Sequence, residues 1–371
     1  MATIPALSTS STHKPSYKPI ISGSLACKPT GYVDFDPKVH LAFEEPSKVY
    51  TMEELGLPVG SGVSPIAVSE PFQLFTEEAV DRMRQEVLSD EVMNNCQYSS
   101  NLAHCQLRGF ANKYAPFTYD LWKNPETLAI VSKIAGIDLV TEMDLEIAHI
   151  NLSVKSEEER QKELAAIEER AQFDADEGIG GCPWEDDDPI VGWHRDSYPF
   201  VCVTMLSDCT NMVGGETALR IGNGEIMKGC AVVLQGRYID HQALRTLGTT
   251  ERITMVTSFR PRCPLVRDDT VLATVRPISN IQELYNQFSE YRLEILEERI
   301  RQQLKDLRDA NSSGRRVPTK KLKAFLDEQE RFLAHMNREM IDDEMVVKGI
   351  LPPTRPSKME EGPRAKRPRG D

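Results

Sequence analysis

Long apolar runs, paired cysteines and an excess of basic charge are all missing from this chain, and each gap removes a class of protein. No apolar run approaches the length needed to span a bilayer, and the opening MATIPALSTSSTHKPSYK lacks the basic start and apolar core of a secretory signal. A soluble, cytoplasmic protein is expected. Eight cysteines occur without a CxxC pair, several of them inside apolar runs such as FVCVTML and KGCAVVL. That argues against structural zinc and fits buried free thiols in a reducing compartment. Neither a βαβ alternation nor a phosphate loop is present, which argues against a nucleotide-binding fold. With 44 basic against 57 acidic residues the net charge is −13, so broad affinity for nucleic acid backbones is not expected.

What is present is a chain of 371 residues, long enough to bury a large core without covalent staples. Residues 1–29 are rich in Ser, Thr, Pro and Lys and read as a disordered tail. TMEEL offers a capping box, Thr51 with Glu54, for a short helix. TEEAVDRMRQEV predicts a helix entered at Thr76 with Ala79, Met83 and Val87 on one stripe. NPETLAIVSKIAG predicts another, with Asn124 as N-cap and Gly136 as stop. DLEIAHINLSV then reads as a strand, placing His149 and Asn151 on one face and Ala148, Ile150 and Leu152 on the other.

Thirteen acids against three bases fall between Ser156 and Asp188, so most of the negative charge sits in one insertion. Its first half has the composition of a helix, and Gly178–Gly181 breaks it. A solvated insertion at about 155–188 is the plain reading; a lid over a site is the sharper one. From Ile190 to Pro261, short apolar strands alternate with turns, GGE at Gly214 to Glu216 and GNG at Gly222 to Gly224 among them. This predicts an all-β jelly roll inside an α+β chain. After Pro264 the strands stop. Ile281, Leu284, Phe288, Ile295, Leu304 and Leu307 mark a long amphipathic helix, and a second helix capped at Thr319 completes a hairpin over 264–346. The hairpin is expected to pack on the barrel; dimerisation through it is the alternative. The end, 347–371, carries the basic run Arg364 to Arg369.

Within the β-rich segment stands GWHRD, Gly192 to Asp196. In a strand, His194 and Asp196 leave the same face, and Trp193 and Arg195 the other. Two imidazoles and one carboxylate on a first-row metal leave three adjacent positions open, the arrangement used by non-haem iron oxygenases. His241 is the candidate third ligand.

In order, WHRDSYPFVCVTMLSD, GGETALRIG, LQGRYIDHQAL and ERITMVTSF resemble the core of a fungal-type Fe(II)/2-oxoglutarate-dependent dioxygenase. The resemblance covers Thr51 to Pro261 and leaves the acidic insertion and the hairpin without a counterpart. It implies a double-stranded β-helix over 30–263 with Fe(2+) on His194, Asp196 and His241. It also implies that an arginine, followed two residues later by a hydroxyl, binds the distal carboxylate of 2-oxoglutarate. Arg252 and Thr254 match, with Arg220, Arg245 or Arg260 as substitutes for the cation. His149 and Asn151 either touch the keto acid or substrate, or are structural. The implied reaction consumes O2 and 2-oxoglutarate and hydroxylates or otherwise oxidises an unactivated C–H bond of a small molecule. A nuclear hydroxylase of protein or nucleic acid, imported through the basic tail, is one alternative, and a non-catalytic cupin-like binding module is another.

Overall fold

A computed structural model describes residues 32–177, 191–208, 213–214, 217–220, 226–229, 233–244 and 246–351. The N-terminal tail expected over 1–29, the Gly178–Gly181 break, the GNG turn and the basic run Arg364 to Arg369 lie outside them. So do Gly215 and Glu216 of the GGE turn and Cys27, Cys182, Cys209 and Cys230.

The strands are β1 (Val49–Thr51), β2 (Ile66–Ser69), β3 (Gln97–Tyr98), β4 (Gln106–Leu107), β5 (Leu139–Thr141), β6 (His149–Val154), β7 (Val191–His194) and β8 (Phe200–Met205). They continue with β9 (Val213–Gly214), β10 (Thr217–Arg220), β11 (Ile226–Gly229), β12 (Val233–Leu234), β13 (His241–Ala243), β14 (Thr246–Leu247) and β15 (Glu251–Pro261). Nine form one antiparallel sheet in the order β1-β2-β12-β8-β15-β6-β4-β3, with β5 also on β15. A four-stranded sheet, β11-β10-β13-β7, carries the HxD segment at one edge. The protein is therefore a mixed α+β fold centred on antiparallel sheet.

The long strand β15 shows why the large sheet has two different faces. Its register aligns Thr254 with Asn151 of β6 and Met205 of β8, and Val256 with His149 and Val203. Residues directly opposite one another share a face. Ile253, Met255 and Phe259 join Ile150, Phe200 and Cys202 in an apolar cluster, while Arg252, Thr254, Val256 and Ser258 alternate onto the other face and line a cavity.

The described helices are α1 (Pro37–His40), α2 (Glu77–Val87), α3 (Asp90–Asn95), α4 (Ala111–Tyr114), α5 (Pro116–Lys123), α6 (Pro125–Ala135), α7 (Glu157–Glu177), α8 (Ile281–Ser312) and α9 (Thr319–Glu339), and several of them cover the apolar face. The helix α2 (Glu77–Val87) buries Ala79, Met83 and Val87, and Thr76 caps it by accepting from the Ala79 N–H. The helix α6 (Pro125–Ala135) starts on Asn124 and stops at Gly136, whose φ of 66° is the left-handed conformation expected of a glycine stop. Between them Trp122 packs edge-on against Phe75 and Phe259, with its indole N–H 3.2 Å from the Met255 sulfur. The small sheet faces the large one at one end, where Leu219 and Ile239 pack with Val68, Val201 and Leu234.

The C-terminal helices α8 (Ile281–Ser312) and α9 (Thr319–Glu339) form the expected hairpin. Phe288, Tyr291, Ile295, Phe332 and Met336 pack on Met143, Leu145, Tyr198 and Leu272. Beyond that contact α8 runs on with Ile300 and Leu304 exposed, so only its first half buries the predicted stripe.

Several local expectations need correction. Thr51 and Glu54 make both capping-box bonds, yet the segment closes a single turn because Gly56 follows at φ 66°. Asp144–Glu146 is a 3-10 turn and Ala148 has φ 62°, so the strand begins only at His149. Thr319 is the first residue of α9, which has no side-chain cap. Of the described cysteines, Cys96 and Cys202 are buried, Cys105 is partly so, and Cys263 is exposed. No helix among the described residues is long and apolar enough to cross a membrane.

Candidate metal centre

His194 ends β7 and His241 begins β13, and the two are paired in register across antiparallel strands. Their rings are 4.2 Å apart, centre to centre. Asp196 lies past the end of β7, so its approach to His194 does not come from strand alternation alone. Its backbone N–H instead donates to the Gly236 carbonyl at 2.9 Å, which folds the residue back over the pair. The outcome is a tight cluster. His194 Nε2 is 3.6 Å from Asp196 Oδ1, His241 Nε2 is 3.6 Å from Asp196 Oδ2, and the three donor atoms all fall within 4.8 Å of one another.

Two ligands on one first-row ion, each at about 2.1 Å and separated by ordinary coordination angles, stand about 3.0–3.6 Å apart. The two imidazole–carboxylate spacings reach the upper end of that range, one at each carboxylate oxygen. The orientation of the rings is favourable as well. His194 Nδ1 lies 2.8 Å from the Gly192 carbonyl and His241 Nδ1 lies 2.9 Å from the Ile239 carbonyl. Each Nδ1–H donates to a backbone oxygen, which leaves both Nε2 lone pairs aimed at the carboxylate. Asp196 Oδ2 is buried without a hydrogen-bond partner, a cost that a bound cation would remove. A Cβ on Gly236 would lie 1.7 Å from that oxygen, so the carboxylate rests where only glycine leaves room.

The electrostatics agree. Burial works against charge on all three groups, but the Asp196 carboxylate beside His194 raises its proton affinity, and the two histidines hold Asp196 below the usual carboxylate range. Burial together with the nearby His194 charge drops His241 to about 4. The cluster therefore sets one carboxylate between two buried imidazoles whose proton affinities are pulled in opposite directions. A divalent cation held there would supply the positive charge that the buried carboxylate lacks.

The triad opens on a cavity of about 140 Å³ lined from both sheets. Arg252 and Thr254 line it, both nearly fully buried, with Arg252 Nη1 donating to Thr254 Oγ1 at 3.4 Å. Arg260, one of the substitute cations, does not. Its guanidinium stacks 4.7 Å from the Tyr291 ring under the hairpin. The side chains of Arg220 and Arg245 lie outside the described residues. Asn151 and His149 also line the cavity.

His149 is tied to residues that the sequence did not single out. Arg108 Nη1 donates to its Nδ1 at 3.0 Å, Arg108 Nε donates to Ser279 Oγ at 2.9 Å, and Arg108 Nη2 donates to Glu146. Tyr198 donates to the same Glu146 oxygen at 2.5 Å. Burial would lower the proton affinity of the Arg108 guanidinium, but Glu146 reverses the sign and keeps it charged. Burial and that neighbouring charge push His149 down to about 3, so the ring is neutral. With Nδ1 accepting from Arg108, the ring proton sits on Nε2, which faces the Gln106 carboxamide 3.2 Å away. That amide must turn its oxygen to the ring. His149 is thus a neutral donor fixed in the cavity wall rather than a fourth ligand. Alternation in HCQLRGF, which puts Gln106 and Arg108 on one face, was the available signal.

The chain matches no family model and no curated protein.

Proposed function

We propose that this chain is an Fe(II)- and 2-oxoglutarate-dependent oxygenase, built on a double-stranded β-helix, that oxidises an unactivated C–H bond of a small molecule. One observation carries the reading. A histidine–aspartate–histidine cluster with metal-ligand spacing shares a single cavity with an arginine–threonine pair buried on the facing sheet. Both halves were expected from separate parts of the sequence, and a metal-binding module without a keto acid has no need of the second.

His194, Asp196 and His241 would hold the iron, whose redox chemistry couples O2 and the decarboxylation of 2-oxoglutarate to succinate with oxidation of the substrate. Arg252 supplies the fixed positive charge for the distal carboxylate, and the Thr254 hydroxyl supplies a donor beside it. Val201, Val203 and Val256 add apolar lining to the same cavity. Neutral His149, held between Arg108 and Gln106, lines the wall without adding a competing charge. Ferrous protein titrated anaerobically with 2-oxoglutarate should develop a metal-to-ligand charge-transfer band, and aerobic turnover should release succinate. Iron bound at the triad with neither band nor succinate would reject the reading.

A further inference from the structure

The cavity has one wall that comes from the far end of the described chain. Leu351 lines it, 6% exposed, although it lies 250 residues from the segment that holds it. Asn101 clamps this residue from both sides: its Oδ1 accepts from the Leu351 N–H at 2.8 Å and its Nδ2 donates to the Leu351 carbonyl at 3.2 Å. The Asn101 N–H donates to the Gly349 carbonyl at 2.9 Å, the Gly349 N–H donates to the Pro277 carbonyl at 3.1 Å, and Lys348 Nζ donates to the Ser279 carbonyl at 2.6 Å. Gly349 has φ 74°, and a Cβ there would meet the Ser99 carbonyl oxygen at 2.9 Å. Five hydrogen bonds and a glycine-only turn thus fix residues 348–351 as a strap between the 3-10 turn Arg276–Ile278 and the loop before β4. Leu102, on that same loop, also lines the cavity and packs beside Gly192, two residues from His194.

We infer that Leu351, held by this strap, is a specificity-determining wall of the substrate pocket that, with Leu102 lining the same cavity, sets the length of the apolar group admitted beside the candidate metal ligands. The inference rests on the oxygenase reading for what is turned over, but not for the shape of the wall. Arg252 and Thr254 stand on β15, which β6 separates from β4 and the loop that holds Leu351, so the polar co-substrate and the apolar group are assigned to different parts of the cavity. A leucine tied down at its own backbone is a fixed boundary, unlike a side chain on a free end.

The test uses the full chain and 1-alkanols from ethanol to octanol as probes, followed by the methyl NMR resonances of Val201 and Val203. In the unsubstituted protein, affinity should rise by about fourfold per methylene until the chain reaches Leu351, and then stop rising. In Leu351→Ala the rise should continue for about two further methylenes, and in Leu351→Trp it should stop earlier. Asn101→Ala, which frees the strap while leaving Leu351 in place, should blunt the cut-off in the same direction as Leu351→Ala. Identical chain-length profiles in all four proteins, or a uniform shift at every length, would overturn the inference. The charge-transfer band with 2-oxoglutarate is measured on the same samples. Its absence from every sample counts against the oxygenase reading, while the alkanol profiles still decide the wall.

Discussion

If the histidine–aspartate cluster holds a metal as proposed, replacing Gly236 with alanine should abolish metal binding without unfolding the protein. The added Cβ would lie 1.7 Å from Asp196 Oδ2, 2.6 Å from its Cγ and 3.1 Å from its Cβ, so one partner has to move. The Gly236 backbone is poorly placed to yield. Next to it Gln235 is fully buried, accepts from the Val63 N–H at 2.9 Å, and donates to the Ser64 carbonyl at 2.9 Å and to the Ile66 carbonyl. The Asp196 side chain turns on one bond and moves instead. Gly236 does not have positive φ, so alanine adds no backbone strain and gains a little from a less flexible unfolded chain. Overpacking of this kind costs about 1–3 kcal/mol. Losing one of three ligands is a larger effect than the 10–100-fold typical of disturbing a ligand's support, so metal affinity should fall by at least about 100-fold. Co(II) titration and urea unfolding of the same samples separate the two quantities. Asp196→Ala should lose the metal as well, and Gly236→Ala added to it should cost almost nothing further in stability, because the clash is gone. Wild-type metal affinity in Gly236→Ala, or equal destabilisation with and without the Asp196 carboxylate, would refute the reasoning.

Arg252→Gln should raise the Kd for 2-oxoglutarate by about 100-fold, the worth of two charge-assisted hydrogen bonds, while metal content measured by atomic absorption stays constant. Arg108→Met leaves the buried Glu146 without its cation, and should destabilise by about 3–5 kcal/mol in urea unfolding; adding Glu146→Gln should recover much of that, as a double-mutant cycle would show. Burial and then the Asp268 carboxylate push Glu142 up to about 8 in the folded chain from 4.5. The folded state therefore holds a proton that the unfolded state has released, and stability from this residue is present below about pH 4.5 and lost as pH rises through about 8. The full span corresponds to roughly 3–5 kcal/mol. Glu142→Gln should flatten the decline in urea midpoint between pH 5.5 and 8.5, and an unchanged slope would count against a buried protonated acid there.

Elements whose signals are local were legible in the sequence. Thr76 and Asn124 open their helices, Gly136 closes one, and the polar-apolar alternation of β6 sends His149 and Asn151 to the cavity and Ile150 to the core. Arg252 and Thr254 were picked out by the family resemblance, and period two in β15 then places both on one face. Where a backbone departs from its regular form, pattern reading fails. Ala148 at φ 62° breaks a run that alternates well on paper, and Gly56 cuts the capped segment to one turn.

The three candidate ligands show both cases at once. The donor types and their order announced the cluster, but the reason first given for His194 and Asp196, a shared strand face, is incomplete. The strand stops at His194, and the carboxylate reaches the imidazoles because Gly236 receives its N–H and leaves a hollow for its oxygens. Gly236 lies 40 residues further along the chain, in a stretch, LQGRY, with no donor of its own to draw the eye. Arg108, Glu146 and Tyr198 were missed for a related reason. Each is an ordinary residue type in its own segment, and only the approach of β4, the 3-10 turn and the loop before β8 makes them one buried network. A sequence read alone exposes which side chains carry chemistry; what holds them still is written in contacts between distant segments, and at this site that support includes Gly236, the buried Gln235 beside it, and the network of Arg108, Glu146 and Tyr198.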